Sequence, residues 1–204
     1  MLPWLLMLAA APAAAPMTPV EAERAFAADA QALGQWTAFR KWAADDATMF
    51  APKPVKTHVF LKDRRDPPKA IEWWPTKSFI SCDGSLAVNT GGWKRPEGTV
   101  GYFTTVWQRQ KDGHWKWIVD GGDTLKEERA RPAEPAIVRA TCGNAPMWEK
   151  DDSPGLTETG ASTDSTLIWR WIVWPDGARE MEVSAWEGTG WERVLTDHID
   201  APSP

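Results

Sequence analysis

Residues 99–120 read TVGYFTTVWQRQKDGHWKWIVD. Two runs of β-branched and aromatic residues flank Lys111-Asp112-Gly113. Asp-Gly between such runs is a strong hairpin signal, because the tight turn needs positive φ. Trp107, Trp115 and Trp117 give this hairpin a large apolar load. It is the predicted centre of a curved antiparallel sheet. Upstream, from Thr76, the hydrophobic period is also two. Phe79-Ile80-Ser81-Cys82, the turn Asp83-Gly84, and Ser85-Leu86-Ala87-Val88 form a second hairpin. Trp93-Lys94-Arg95 then meets a turn at Pro96-Glu97-Gly98. Four strands are thus predicted, over 76–82, 85–95, 99–110 and 114–120, joined as a meander.

Before the strands the period is helical. Thr18-Pro19-Val20-Glu21 has a cap, a first-turn proline and a capping-box carboxylate. Ala22, Phe26, Ala30 and Leu33 share one face, and Gly34 is a C-terminal stop. A second helix is predicted from Gln35 to about Ala44, with Trp36, Phe39 and Trp42 inward and Arg40 and Lys41 outward. Asp45-Asp46 ends it, and Ala47 to Phe50 is a short strand. Residues 53–75 are irregular, with one or two helical turns over Lys56 to Lys62. Helices first and strands after is an α+β order.

Residues 127–161 carry charge clusters and four prolines and read as a linker or wrapping loop. Beyond them Thr166–Trp174, Arg179–Trp186 and Trp191–His198 are three strands of a C-terminal β meander, within 162–200. Glu180, Glu182 and Arg193 suit its solvent side. Three strands are near the minimum for independent stability, so this unit is expected to lean on the main domain. No repeat of 20–50 residues is apparent in the sequence.

The formal net charge of −5 disfavours nucleic acid as a partner, since phosphate binding needs a positive field. Residues 1–16, MLPWLLMLAAAPAAAP, carry no charged side chain and have small-x-small patterns after a short apolar run. They read as a secretory signal peptide, too short for a membrane span, which places the protein in the periplasm or outside the cell. Cys82 and Cys142 are the only cysteines. They form either one disulfide or two buried thiols.

The segments FAADAQALGQWTAFRKWAADDATMFAP, SCDGSLAVNTGGW and GYFTTVWQRQKDGHWKWIVDGGD resemble the NTF2-like superfamily, in its SnoaL-like, DUF4440-type branch. The carrying features are Asp45-Asp46-Ala47 before Met49-Phe50, Asp83-Gly84-Ser85-Leu86-Ala87, Thr90-Gly91, and Val106 to Arg109 with Asp112-Gly113 and Trp115. They cover about residues 20–123, inside a domain drawn at 17–126. The resemblance implies an α+β cone, in which a bent sheet wraps the N-terminal helices and leaves a pocket at its open end. Members include ketosteroid isomerases, polyketide cyclases, dehydratases and non-catalytic binders. The branch often carries His after the last motif strand. Here that place reads Val119-Asp120-Gly121-Gly122-Asp123, so His-based chemistry has no support.

Asp120 and Asp123 end the core strand at the expected pocket mouth. An Asp beside aromatic walls has a raised pKa and can act as a general base at a carbon acid; the plainer reading is that both cap a Gly-Gly turn. Tyr102, the only Tyr, is a candidate hydrogen-bond donor to an oxyanion, or a half-buried strand aromatic. Trp36, His58, Trp73, Trp74, Trp93, Trp107 and Trp117 are candidate pocket residues, weighed against core packing. The three His residues lack ligand spacing, so no metal is expected, and no cofactor motif is present. The leading expectation is an exported binder of a small hydrophobic molecule in a Trp-lined cone, with no cofactor. The rivals are an isomerase, cyclase or dehydratase with an Asp base, and a module that forms a homodimer through its outer sheet face.

Overall fold

The structure of the protein is a computed structural model that describes residues 16–147 and 155–202. The signal-peptide reading falls on 1–16 and lies, but for residue 16, outside the described residues.

Helix α1 (Pro19–Leu33) starts with a full capping box. The Thr18 hydroxyl accepts from the Glu21 amide at 3.2 Å, and the Glu21 carboxylate accepts from the Thr18 amide at 2.7 Å. Its buried face is Ala22, Phe26 and Ala30; Leu33, expected on that face, is 51% exposed. Helix α2 (Gln35–Trp42) follows across Gly34, which has φ +107°. It stops two residues before the predicted end. Asp45 and Asp46 lie within strand β1 (Ala43–Phe50) rather than at a helix terminus. After β2 (Pro54–Lys56), α3 (Thr57–Leu61) realises the helical turn read over 56–62.

The predicted meander is β3 (Glu72–Ile80), β4 (Leu86–Lys94), β5 (Val100–Arg109) and β6 (Trp115–Leu125). The Asp112-Gly113 turn holds Gly113 at φ +84°. The Asp83-Gly84 connection is longer than the expected two residues, running from Ser81 to Ser85 between the strand ends. One sheet of seven strands results, in the order β2-β1-β6-β5-β4-β3-β7. Strand β1 joins β6 in parallel. Strand β7 (Ala136–Arg139), inside the segment read as linker, joins β3 in parallel.

The C-terminal unit has four strands, not three. Strand β8 (Leu156–Ala161) precedes β9 (Leu167–Val173), β10 (Arg179–Trp186) and β11 (Trp191–Ile199), in the order β11-β10-β9-β8. Only Leu156 and Ala161 in β8 are apolar beyond glycine, so nothing in its composition marks it as a strand. Glu182, expected to face solvent, is buried between Arg170 and Arg193.

Two cores lie on the two faces of the large sheet. Helices α1 to α3 cover the concave face over Phe26, Ala87, Trp107, Trp115 and Trp117. The four-stranded sheet covers the outer face, where Phe79, Leu86, Val88, Val106 and Val119 meet Leu167, Trp169, Trp171, Val183 and Ala185. The face proposed for a homodimer is therefore occupied within the chain. Cys82 and Cys142 are bonded, with Cα atoms 5.1 Å apart, and tie the β3–β4 loop to the chain beyond β7. Among the described residues no helix is long and apolar enough to cross a membrane.

Candidate functional site

Between α1, α2 and the concave face lies a cavity of about 250 Å³. Its walls include Trp36, Phe39, Trp73, Trp93 and Phe103, with Met49, Phe50 and Gln35. Asp120, Gly121, Gly122 and Asp123 of β6 form the remaining side.

Asp120 is half-buried. One oxygen, Oδ1, accepts from the Thr105 hydroxyl of β5 at 2.7 Å, directly across the ladder. Burial pushes the carboxyl up to about 7, against that single hydrogen bond. Its aim depends on an irregularity in β6. Trp107 pairs with Trp117, but Val106 pairs with Val119, so Ile118 is one extra residue. This bulge reverses the alternation, and Asp120 joins Trp115 and Trp117 on the concave side instead of opposing them.

Behind the wall sits Glu23 of α1, fully buried. Its Oε1 accepts from Trp73 Nε1 at 2.9 Å, and its Oε2 from Trp107 Nε1 at 2.7 Å and Asn89 Nδ2 at 3.2 Å. Burial pushes Glu23 to about 7; the charge of Asp120 adds to the rise, and the three donors oppose it. Glu23 thus fixes the Trp73 indole of the cavity wall through a neutral donor. Sequence reasoning missed it. The available signal was an acid three residues before Phe26 and seven before Ala30, on the apolar stripe of α1. Gln35 was also missed. Its Oε1 accepts from the Ile71 amide at 3.1 Å, which leaves its NH₂ free for a ligand.

The structure separates the predicted residues. Trp36, Trp73 and Trp93 line the cavity together with Asp120 and Asp123. Trp107 and Trp117 are fully buried core beneath it. Trp74 turns to the other face, with Nε1 donating to Ala130 O at 3.1 Å and Arg131 stacked at 4.1 Å. His58 is in α3, outside the cavity lining. Asp123 lies inside β6, opposite Tyr102, and the strand runs on to Leu125, so neither Asp ends the strand and there is no Gly-Gly turn for them to cap. Its Oδ1 accepts from the next amide, Thr124 N, at 2.7 Å. Tyr102, read as a pocket donor, faces the second sheet instead. It borders a separate small space with Thr104, Trp171 and Asp197. Burial, then the charges of Asp197 and Asp123, raises its hydroxyl well above the usual range. Among the described residues no three of His, Cys, Asp and Glu come together as a metal site.

No family model and no curated protein matches the sequence. A proposed ketosteroid isomerase from Parabacteroides distasonis is similar with a TM-score of 0.43 and 17% identity, over 53% of this chain and 89% of that one. A proposed aromatic ring hydroxylase from Novosphingobium aromaticivorans matches at 0.38 and 14%, over 53% and 87%. The CaMKII hub of S. rosetta matches at 0.38 and 21%, over 54% and 100%.

Proposed function

We propose that the cavity binds a flat, largely apolar molecule bearing a carbonyl group, and that Asp120 moves a proton on it as a general base. The carrying observation is the carboxyl of Asp120, held by Thr105 in an aromatic cavity and titrating near 7. A base is most effective when its pKa lies near the working pH. The lining supports both halves of the reading: indole and phenyl faces suit an apolar ring system, and the Gln35 NH₂ is a neutral donor for a carbonyl oxygen. This proposal includes the SnoaL-like reading of the motifs. It also includes export, which the Cys82–Cys142 bond supports, since disulfides persist in oxidising compartments.

The second reading is a binder without chemistry, favoured by the share of aromatic lining. One experiment separates the two. Wild type and Asp120→Asn are incubated with a cyclic β,γ-unsaturated ketone. Tryptophan fluorescence reports binding, and ultraviolet absorbance reports the conjugated product. The base reading expects product from wild type, rising through pH 7 as Asp120 loses its proton, and retained binding with lost turnover in Asp120→Asn. Binding without product over a panel of such ketones leaves the binder reading standing.

A further inference from the structure

The two sheets are joined by loops that mirror each other. The β3–β4 loop reads Ser81-Cys82-Asp83-Gly84-Ser85 before Leu86; the β8–β9 loop reads Ser162-Thr163-Asp164-Ser165-Thr166 before Leu167. Their internal bonds match but for one, from the Thr166 hydroxyl to Asp164 Oδ1 at 2.9 Å. The Ser81 hydroxyl donates to Asp83 Oδ1 at 2.7 Å, and the Ser162 hydroxyl to Asp164 Oδ1 at 2.6 Å. The amides of Ser85 and Thr166 donate to the same oxygens, at 2.9 and 3.1 Å. The amides of Leu86 and Leu167 both donate to the serine hydroxyls at 3.1 Å. The fourth positions, Gly84 and Ser165, have φ +68° and +58°.

The bonds between the loops are reciprocal. Asp83 N donates to Asp164 Oδ2 at 2.9 Å, and Asp164 N donates to Asp83 Oδ2 at 3.2 Å. Cys82 N donates to Thr166 Oγ1, and Thr163 N to Ser85 Oγ, both at 2.9 Å. Residue i meeting j while the counterpart of j meets the counterpart of i is the signature of a two-fold contact.

The likeness continues along both chains. The next turns are Arg95-Pro96-Glu97-Gly98-Thr99 and Trp174-Pro175-Asp176-Gly177-Ala178. In each, the Gly amide donates to the first carbonyl at 2.9 Å and the first amide to the last carbonyl, at 2.8 and 2.9 Å. Trp115 follows the third turn as Trp191 follows its counterpart, each paired with the last residue of the strand before it, Arg109 and Trp186. Counterparts also keep their face: Leu86 and Leu167, Val88 and Trp169, Val106 and Val183, Val119 and Leu195 all lie in the inter-sheet core, and the ladders pair them alike.

We infer that β8–β11 is a second copy of the β3–β6 meander, docked on the first about a local two-fold axis, so that the chain carries within itself the sheet that its outer face is shaped to receive. The partner that fits this face is a β-meander of its own kind, supplied in cis. The second copy has no helices. Its far face carries Arg170, Glu182 and Arg193 as an ion-pair cluster where the first copy has its cavity. The chain therefore has two meanders, of which the first carries the aromatic cavity, and its outer face needs no second subunit.

The test uses the full chain. Native mass spectrometry from low to high micromolar concentration is expected to show one chain, with slow amide exchange in β4, β5, β9 and β10. A wild-type dimer whose β9 and β10 amides exchange freely would overturn the inference, because the outer face would then be held by another chain. The symmetry is tested with Asp83→Asn and Asp164→Asn, which keep Oδ1 and remove the Oδ2 acceptor. Asp83→Asn is expected to speed exchange at the Asp164 amide, and Asp164→Asn at the Asp83 amide, each by about five- to tenfold for one lost hydrogen bond. Ser85→Ala and Thr166→Ala repeat the test at the Thr163 and Cys82 amides. Effects confined to the substituted loop, or seen in one direction only, refute the two-fold.

Discussion

Replacing Asp120 by Asn should make the protein more stable at pH 8 and leave it unchanged at pH 4. The carboxyl titrates near 7 in the folded chain, against an ordinary value of 3.8. The folded state therefore binds more protons than the unfolded state between these values. Stability from this group falls as pH rises through that window. At about 1.4 kcal/mol per pKa unit, the full cost above pH 7 is on the order of 4 kcal/mol, an upper bound because Asp120 keeps some contact with the cavity. Asn retains the oxygen that accepts from Thr105 and has no charge to desolvate. Urea unfolding of both proteins at pH 4, 6 and 8 measures the difference directly, and the difference cancels the titrating groups that Asp120 does not act on; Glu23, whose rise the Asp120 charge adds to, is the exception. Equal stabilities at pH 4 diverging to about 2–4 kcal/mol at pH 8, in favour of Asn, is the expected result. A variant less stable than wild type at pH 8 would refute the claim that this carboxylate is held at a cost. It would also remove the main physical support for its role as a base.

Glu23→Gln should share the pH trend but start from a loss. Three N–H donors converge on Glu23, so an amide NH₂ there faces donors, and a loss of about 1–3 kcal/mol is expected at pH 4, where no charge is removed. The loss should shrink by up to about 3 kcal/mol by pH 8 in the same unfolding assay, because the carboxyl it replaces is raised from 4.5 to about 7. Reduction of Cys82–Cys142, or the double Ser variant, frees a loop of 60 residues and should cost about 4 kcal/mol, read from urea midpoints with and without reductant. Ser165→Gly relieves a side chain at φ +58° and should raise the melting temperature slightly, by about 0.5 kcal/mol of stability, whereas Gly84→Ala at φ +68° should lower it by about 1 kcal/mol.

The meander and the first helix were legible because their signals are local. A capping box, period two between Pro and Gly turns, and Asp112-Gly113 each act over a few residues. What escaped was long-range. Strand β1 was read as half helix because its ladder partner, β6, is about seventy residues away and parallel to it. Strand β8 has almost no apolar residues and is held by pairing with β9. The Tyr102 reading failed on alternation alone. Tyr102 and Trp107 are five apart on one strand, so period two already puts them on opposite faces. The repeat is invisible as a period because its identities sit in the loops and at a few Trp, Leu, Pro and Gly positions, with two residues fewer in β9 than in β4.

Asp120 shows why site geometry was harder to read than the fold. Trp115, Trp117 and Val119 all look like one apolar face at period two, which would send Asp120 outward to the second sheet. The extra residue at Ile118 breaks that alternation, and Trp117 and Val119 end in different cores. A bulge is a property of the ladder rather than of one strand: it exists only where β5 offers one residue against two. The same shift that turns Val119 toward Leu86 and Trp169 turns Asp120 toward the aromatic cavity and brings it opposite Thr105. Core packing on the outer face and the aim of the candidate base are therefore one structural fact. The second meander, by filling the outer face over Val119, helps hold the register on which the site depends.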